Sequence, residues 1–323
     1  MLLSIARSKQ SFTIIFLPFL AIILWFHVFR GAESSFIIHP TSSVALWISN
    51  FFGTGFWARF VFLFLLILSA FYLNILNTKY IFIPERTYLP GILFVMLVSV
   101  LNFINIPLIL ALLLFLLALD RLIATYKVEH LLFNAFDASF LISLATLIYV
   151  PSVFLILFVW MALISLRPFY WREWAYTILG LVLPYLLIWC FMFVFNKDFS
   201  AFIKPVFENF TETSGALKLS RTDSLYIFIV SFLIIITSQK LLRLFPSMKI
   251  ISRKIFNLQL ALFFISLIIP IAMKYKSFEF WYFSAIPLSY VFAIFFLNVK
   301  KSWWGELLFI SLFAADMALI YFL

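Results

Sequence analysis

Only 11% of the 323 residues are charged, against about 25% in an ordinary soluble domain. One cysteine, Cys190, excludes a disulfide framework, a paired-cysteine redox motif and a cysteine metal cage. The histidines His27, His39 and His130 are too few and too dispersed for haem or di-iron ligation, which needs several ligands at helical spacing. Glycine is scarce as well, at seven residues, although membrane helices commonly use it where they approach closely or break.

What the chain has instead is apolar bulk. Hydrophobic residues make up 66% of it, and 45 of them are Phe. No soluble globule of this length could bury so much. The few charges leave long uninterrupted runs between them, and runs of about 18 apolar residues or more mark membrane spans. The sequence therefore predicts an all-α, polytopic transmembrane helical bundle forming a single integral membrane domain over 1–323. Its net charge of +10 comes from basic residues in short loops, where they act as topology signals, so nucleic acid is not the expected partner. Arg7 and Lys9 precede an apolar run from Ser11 to Val28 that imitates a signal peptide. The run is long for one, and Arg30 spoils the cleavage pattern at Gly31-Ala32, so a retained first helix is expected.

Membrane helices are expected at about 12–29, 57–76, 88–103, 106–119, 134–150, 151–166, 174–195, 224–238, 255–273, 280–297 and 303–323, eleven in all within a range of ten to twelve. Two of the boundaries are ambiguous. In the charge-free run 87–119, Asn102, Asn105 and Pro107 supply turn chemistry and favour a hairpin. Within 138–166 there is only Tyr149-Val150-Pro151, which suits a hairpin or a proline kink. Lysine and arginine arbitrate, because cytoplasmic loops collect them. With both hairpins and a cytoplasmic N-terminus the inner loops hold 15 and the outer loops 8; one continuous helix makes the count 12 to 11. The hairpin arrangement is expected. It places the basic loop 239–254 inside and the charge-balanced loop 196–223 outside. Lys204, Glu208 and Glu212, at i, i+4 and i+8, predict a short surface helix in that outer loop.

The first outer loop has structure of its own. In 41–52, Val44, Trp47, Ile48, Phe51 and Phe52 fall on one helical face, and Thr41 or Ser42 can cap the helix. An uncharged amphipathic helix between two spans predicts an interfacial element; a short re-entrant packing element is the other reading.

Few residues can carry chemistry. Glu33 follows the first helix on the outer side, near His27, Arg30 and His39, where it can act as a general base or divalent-cation ligand beside a lipid phosphate. By residue type alone, the favoured reading is a solvated loop charge paired with Arg30. Asp316 lies within the last apolar helix, and an intramembrane acid is a functional hypothesis by default. Counting from Trp303 puts it about 20 Å up the helix, in the outer half of the bilayer, as a supporting catalytic group or as a packing residue. Arg167 and Arg172, set among Phe169, Tyr170, Trp171 and Trp174, suit headgroup anchoring or lipid-phosphate binding. Asp137 and Asp120 read as helix-end charges.

The stretch from Phe133 to Pro151, continuing to Arg167 and Trp171-Arg172-Glu173-Trp174, resembles an uncharacterised family of bacterial polytopic inner-membrane proteins. In layout the chain is also similar to the glycosyltransferase-C superfamily. That likeness implies a cytoplasmic N-terminus, an acid in the first outer loop, an interfacial helix after it, and sugar transfer from a polyprenyl phosphate donor at the outer face. Glu33 and 41–52 occupy the matching positions. Many such enzymes carry an acidic pair and a large outer domain, whereas here there is one acid and no such domain. The competing expectations are a noncatalytic membrane subunit or scaffold, and a transporter.

Overall fold

The computed structural model describes residues 12–30, 42–83, 85, 87–100, 103–126, 132–167, 169–196, 199–211, 221–272, 279, 281–299 and 302–322. They form thirteen α-helices and no strand. In chain order these are α1 (Phe12–Arg30), α2 (Ser43–Phe52), α3 (Phe56–Tyr80), α4 (Leu89–Ser99), α5 (Ile106–Ala124), α6 (Leu132–Ile148), α7 (Leu155–Leu166), α8 (Trp171–Val194), α9 (Phe199–Thr211), α10 (Arg221–Leu244), α11 (Ile250–Ala272), α12 (Trp281–Asn298) and α13 (Ser302–Phe322). Eleven coincide with the expected apolar segments, and α2 and α9 are the two expected amphipathic ones. Six, namely α3, α5, α8, α10, α11 and α12, are long and apolar enough to cross a membrane. The chain is therefore a helical membrane protein.

Polar contacts tie together one end of the bundle, here the basic end. Lys79 Nζ donates to both Asp120 oxygens at 2.7 and 3.0 Å, and Tyr80 Oη donates to Asp120 at 2.7 Å, fastening α3 to α5. Lys79 is half-exposed, so this pair contributes about 1 kcal/mol or less. Arg121 approaches Asp137 at 3.8 Å at the start of α6. Lys254, at the start of α11, donates to Leu166 O at 3.4 Å and lies 5.3 Å over the Tyr126 ring just beyond α5.

These contacts decide the 132–166 question. Both feet of the segment, Asp137 and Leu166, sit beside the end of α5, while Tyr149 lies at the opposite end, so α6 and α7 form a hairpin. Its tip is built by Tyr149 in an extended conformation and a 3₁₀ turn over Val150–Phe154 with Pro151 in its first positions. Proline has no N–H with which to continue the α6 ladder, so that helix ends ahead of it.

The α4–α5 pair forms a second hairpin with unequal arms. All eleven residues of α4 are buried, yet at 1.5 Å per residue it covers only about half of a 30 Å apolar layer. Chain ends inside a membrane protein are tolerated where other side chains satisfy the backbone. Here Asn74 Oδ1 accepts from Gly91 N at 3.0 Å, Trp281 Nε1 donates to Leu97 O at 2.9 Å, and Tyr282 Oη donates to Phe103 O at 3.2 Å. Gly91 is required by this closeness: an added Cβ would lie 2.4 Å from Asn74 Nδ2 and 2.7 Å from Ala70 O. Gly91→Ala is expected to lose about 2–3 kcal/mol through overpacking and displacement of Asn74, read as a lowered melting temperature of the purified protein in micelles.

Small residues bring α8 against α6. Gly180 on α8 packs against Ser139 on α6, with Thr177 and Pro184 buried along the same helix, and Ser143 Oγ donates to Leu181 O at 2.7 Å. Such stripes allow close backbone approach in lipid. Beyond Pro184 the helix leaves the body, with Leu186, Leu187, Trp189, Phe191, Phe193 and Val194 all exposed. Those apolar surfaces suit acyl chains.

Candidate functional site

The end opposite the basic one is organised around a carboxyl group. Glu279 stands two residues before α12 and is fully buried. Its Oε2 accepts from Tyr149 Oη at 2.9 Å, and its Oε1 accepts from Asn105 Nδ2 at 3.3 Å. One acid thus joins the tips of both hairpins.

Each partner is positioned by local backbone chemistry. Asn105 is the N-cap of α5: its Oδ1 accepts from Leu108 N at 3.0 Å, which leaves the amide N–H₂ free to reach Glu279. Tyr149 is fixed by the end of α6, its N–H donating to Ala145 O at 2.7 Å, and by Ser152 Oγ donating to Tyr149 O at 2.6 Å. Burial drives the Glu279 carboxyl up from its ordinary 4.5 to about 7, and the hydrogen bonds from Tyr149 and Asn105 offset only part of that rise.

The amphipathic helix α2 covers the same end. Ser42 caps it by accepting from Ala45 N at 3.0 Å, and its hydroxyl donates to Leu147 O at 2.7 Å, at the tip of the α6–α7 hairpin. Ser43 Oγ donates to Phe202 O at 3.5 Å, which puts α9 beside it. The single apolar face expected for this helix is divided in the structure. Ile48 and Ala45 are buried and Val44 and Phe52 pack on the core, whereas Trp47 and Phe51 are 67% and 69% exposed with rings stacked 5.6 Å apart. A helix apolar on both sides is wedged between protein and a second apolar phase, which matches an interfacial position.

The residues singled out from sequence are dispersed. Glu33 and His39 lie outside the described residues. His27 and Arg30 belong to the last turn of α1, and their side chains are likewise not among those described. The C-terminal part of α1 is at the α2 end, since Phe29 meets Phe56 at 5.6 Å. Arg167 is buried in an ion pair with Glu173, which occupies its guanidinium. Arg172 is exposed, 6.0 Å from the Trp171 ring centroid, as a headgroup contact requires. Asp316 is fully enclosed and both carboxyl oxygens lack a hydrogen-bond partner. It lies on the buried α13 stripe formed by Gly305, Phe309, Leu312 and Asp316, which packs on the body.

Sequence reasoning did not single out Glu279. It reads as an ordinary loop acid between Lys276 and the aromatic run Phe280-Trp281-Tyr282, and only the convergence of two hairpin tips shows otherwise. The one available signal was the capping chemistry of Asn105. No group of three or more His, Cys, Asp or Glu side chains able to hold a metal ion occurs among the described residues.

The class these features define is a multi-pass helical membrane protein with two internal hairpins clasped by a buried acid. Compared with known proteins, the chain matches no family model, no curated protein sequence and no solved structure.

Proposed function

We propose that this chain is a bacterial inner-membrane protein with a cytoplasmic N-terminus and eleven membrane-embedded helices. In this reading it transfers sugar from a polyprenyl-phosphate donor at the outer face, in the manner of the glycosyltransferase-C superfamily. The observation that carries it is the clasp: Glu279, Asn105 and Tyr149 fix both hairpin tips beneath α2 at the end where α1 terminates. A rigid platform at that end is what a base or cation ligand in the first outer loop needs for orientation. Glu33 is that group, with Arg30, His27 and His39 near the donor phosphate, Arg167 and Arg172 toward the opposite headgroup layer, and Glu279 as a positioning residue. A divalent cation, where one is used, is held through Glu33.

The enclosure of Glu279 and Asp316 also favours a second reading, a noncatalytic subunit of an envelope complex, since neither acid is open to substrate. One experiment separates the readings. In a strain whose envelope glycan changes when the gene is deleted, Glu33→Gln is expected to reproduce the deletion at normal protein levels. An unchanged glycan removes Glu33 from the mechanism, and a stable copurifying protein in place of any glycan effect supports the subunit reading.

A further inference from the structure

Asp316 has no part in the glycosyl-transfer reading. It occupies the fourth position of the body-facing stripe of α13, where Phe309 and Leu312 fill the two preceding positions. The Phe309 ring meets Phe296 of α12 at 5.6 Å. Seven residues, or about 10 Å, farther along α13 is Asp316, which brings it level with the middle of α12 and away from either headgroup layer.

Among the described residues, the neighbouring helices offer it no counter-charge. α13 packs against α10, α1 and α4 and meets α12 through Phe309. The only ionisable residues of α12 are Tyr282 and Tyr290, whose hydroxyls donate to Phe103 O and Leu73 O. α4 has no ionisable residue at all. α1 has His27 and Arg30, both in its last turn, and α10 has Arg221, Asp223 and Tyr226 toward one end and Lys240 and Arg243 toward the other. On α13 itself Glu306 is ten residues away and Tyr321 is five residues farther on. None of the described residues hydrogen-bonds either Asp316 oxygen.

An isolated carboxylate in such a place costs several kcal/mol even after relaxation. Calcium and magnesium both need six or more oxygen ligands, so a lone carboxyl cannot hold them. A proton is the one ligand that a single carboxyl satisfies by itself. We propose that Asp316 is an intramembrane proton-binding site, that the packing seen here is its proton-loaded state, and that loss of the proton drives α13 to repack against α1, α4 and α10. By linkage, ionisation favours whichever arrangement gives the charge water or a cation. The step is a plain acid dissociation, with the proton leaving to water.

Two measurements on the full-length protein in lipid bilayers test this. Infrared spectra at pH 7 are expected to show the carbonyl band of a protonated carboxyl that Asp316→Asn abolishes and Glu279→Gln leaves in place. A difference spectrum carrying carboxylate bands at pH 7 overturns the proposal, and Asp316→Leu, whose side chain suits the apolar site, serves if the Asn variant does not fold. The second measurement is alkylation of Leu312→Cys in a Cys190→Ser background. Raising the pH from 7 to 10 is expected to increase labelling several-fold more with Asp316 present than with Asp316→Leu, because ionisation favours the arrangement that loosens α13. Equal increases in both backgrounds rule out the coupling to α13.

Discussion

Glu279→Ala is expected to destabilise the protein by about 3–5 kcal/mol, because Tyr149 Oη and Asn105 Nδ2 each lose their buried acceptor and a cavity opens between the hairpin tips. Glu279→Gln keeps the volume and an acceptor oxygen, and is expected to cost about 1 kcal/mol or less at pH 5. The contrast separates a lost clasp from a lost charge. Thermal unfolding of both variants in micelles measures it, and equal losses in the two show that the hydrogen bonds are not what matters.

The same acid sets a pH dependence whose sign is fixed. In the folded protein its carboxyl lies at about 7, above the ordinary 4.5 that it regains on unfolding. The folded state therefore binds the proton more tightly, and the contribution is fully present below pH 4.5 and is lost as pH rises through about 7. At about 1.4 kcal/mol per pH unit the loss is about 3 kcal/mol. Wild type minus Glu279→Gln, followed from pH 4 to pH 8, isolates this from all other titrating groups. A flat difference shows that burial does not govern this carboxyl.

The second large effect lies at Gly180. An added Cβ there would come 2.2 Å from Ser139 Oγ and 2.6 Å from Phe136 O, and the latter is backbone that cannot swing aside. α8 buries only Glu173, Thr177, Gly180 and Pro184, so this stripe holds the whole helix. Gly180→Leu is expected to detach α8 from α6, at a cost of about 3 kcal/mol or more, with loss of the monodisperse peak in size-exclusion chromatography. Gly55→Ala is the control: nothing lies within 4 Å of its added Cβ, and it is expected to leave the elution profile unchanged. If both variants elute alike, the close approach is not what holds α8.

The helices were legible because each kind of segment carries its own local signal. Turn residues Asn105 and Pro107 before α5, Ser42 as the cap of α2, and charges at loop ends mark boundaries without reference to tertiary contacts. The amphipathic helix α2 was legible for the same reason. Which side of it meets protein was not, since Trp47 and Ile48 are equally apolar and only the neighbouring hairpin tip distinguishes them. Basic-residue counting favoured the α6–α7 hairpin, and the Asp137 and Leu166 contacts place both of its feet at one end.

Glu279 and Asp316 were not legible as what they are. In sequence Glu279 is a loop acid and Asp316 an acid in an apolar helix, yet the structure encloses both, one with two hydrogen-bonded partners and one with none. By itself the sequence determined the membrane class, the helical segments and the scarcity of charge, because transfer to lipid and helix capping depend on composition and near neighbours. Tertiary structure alone decided that residues 105, 149 and 279 meet and that no described residue bonds to the carboxyl of residue 316. A carboxyl group's chemistry is set by what surrounds it, and in this bundle those surroundings come from distant parts of the chain.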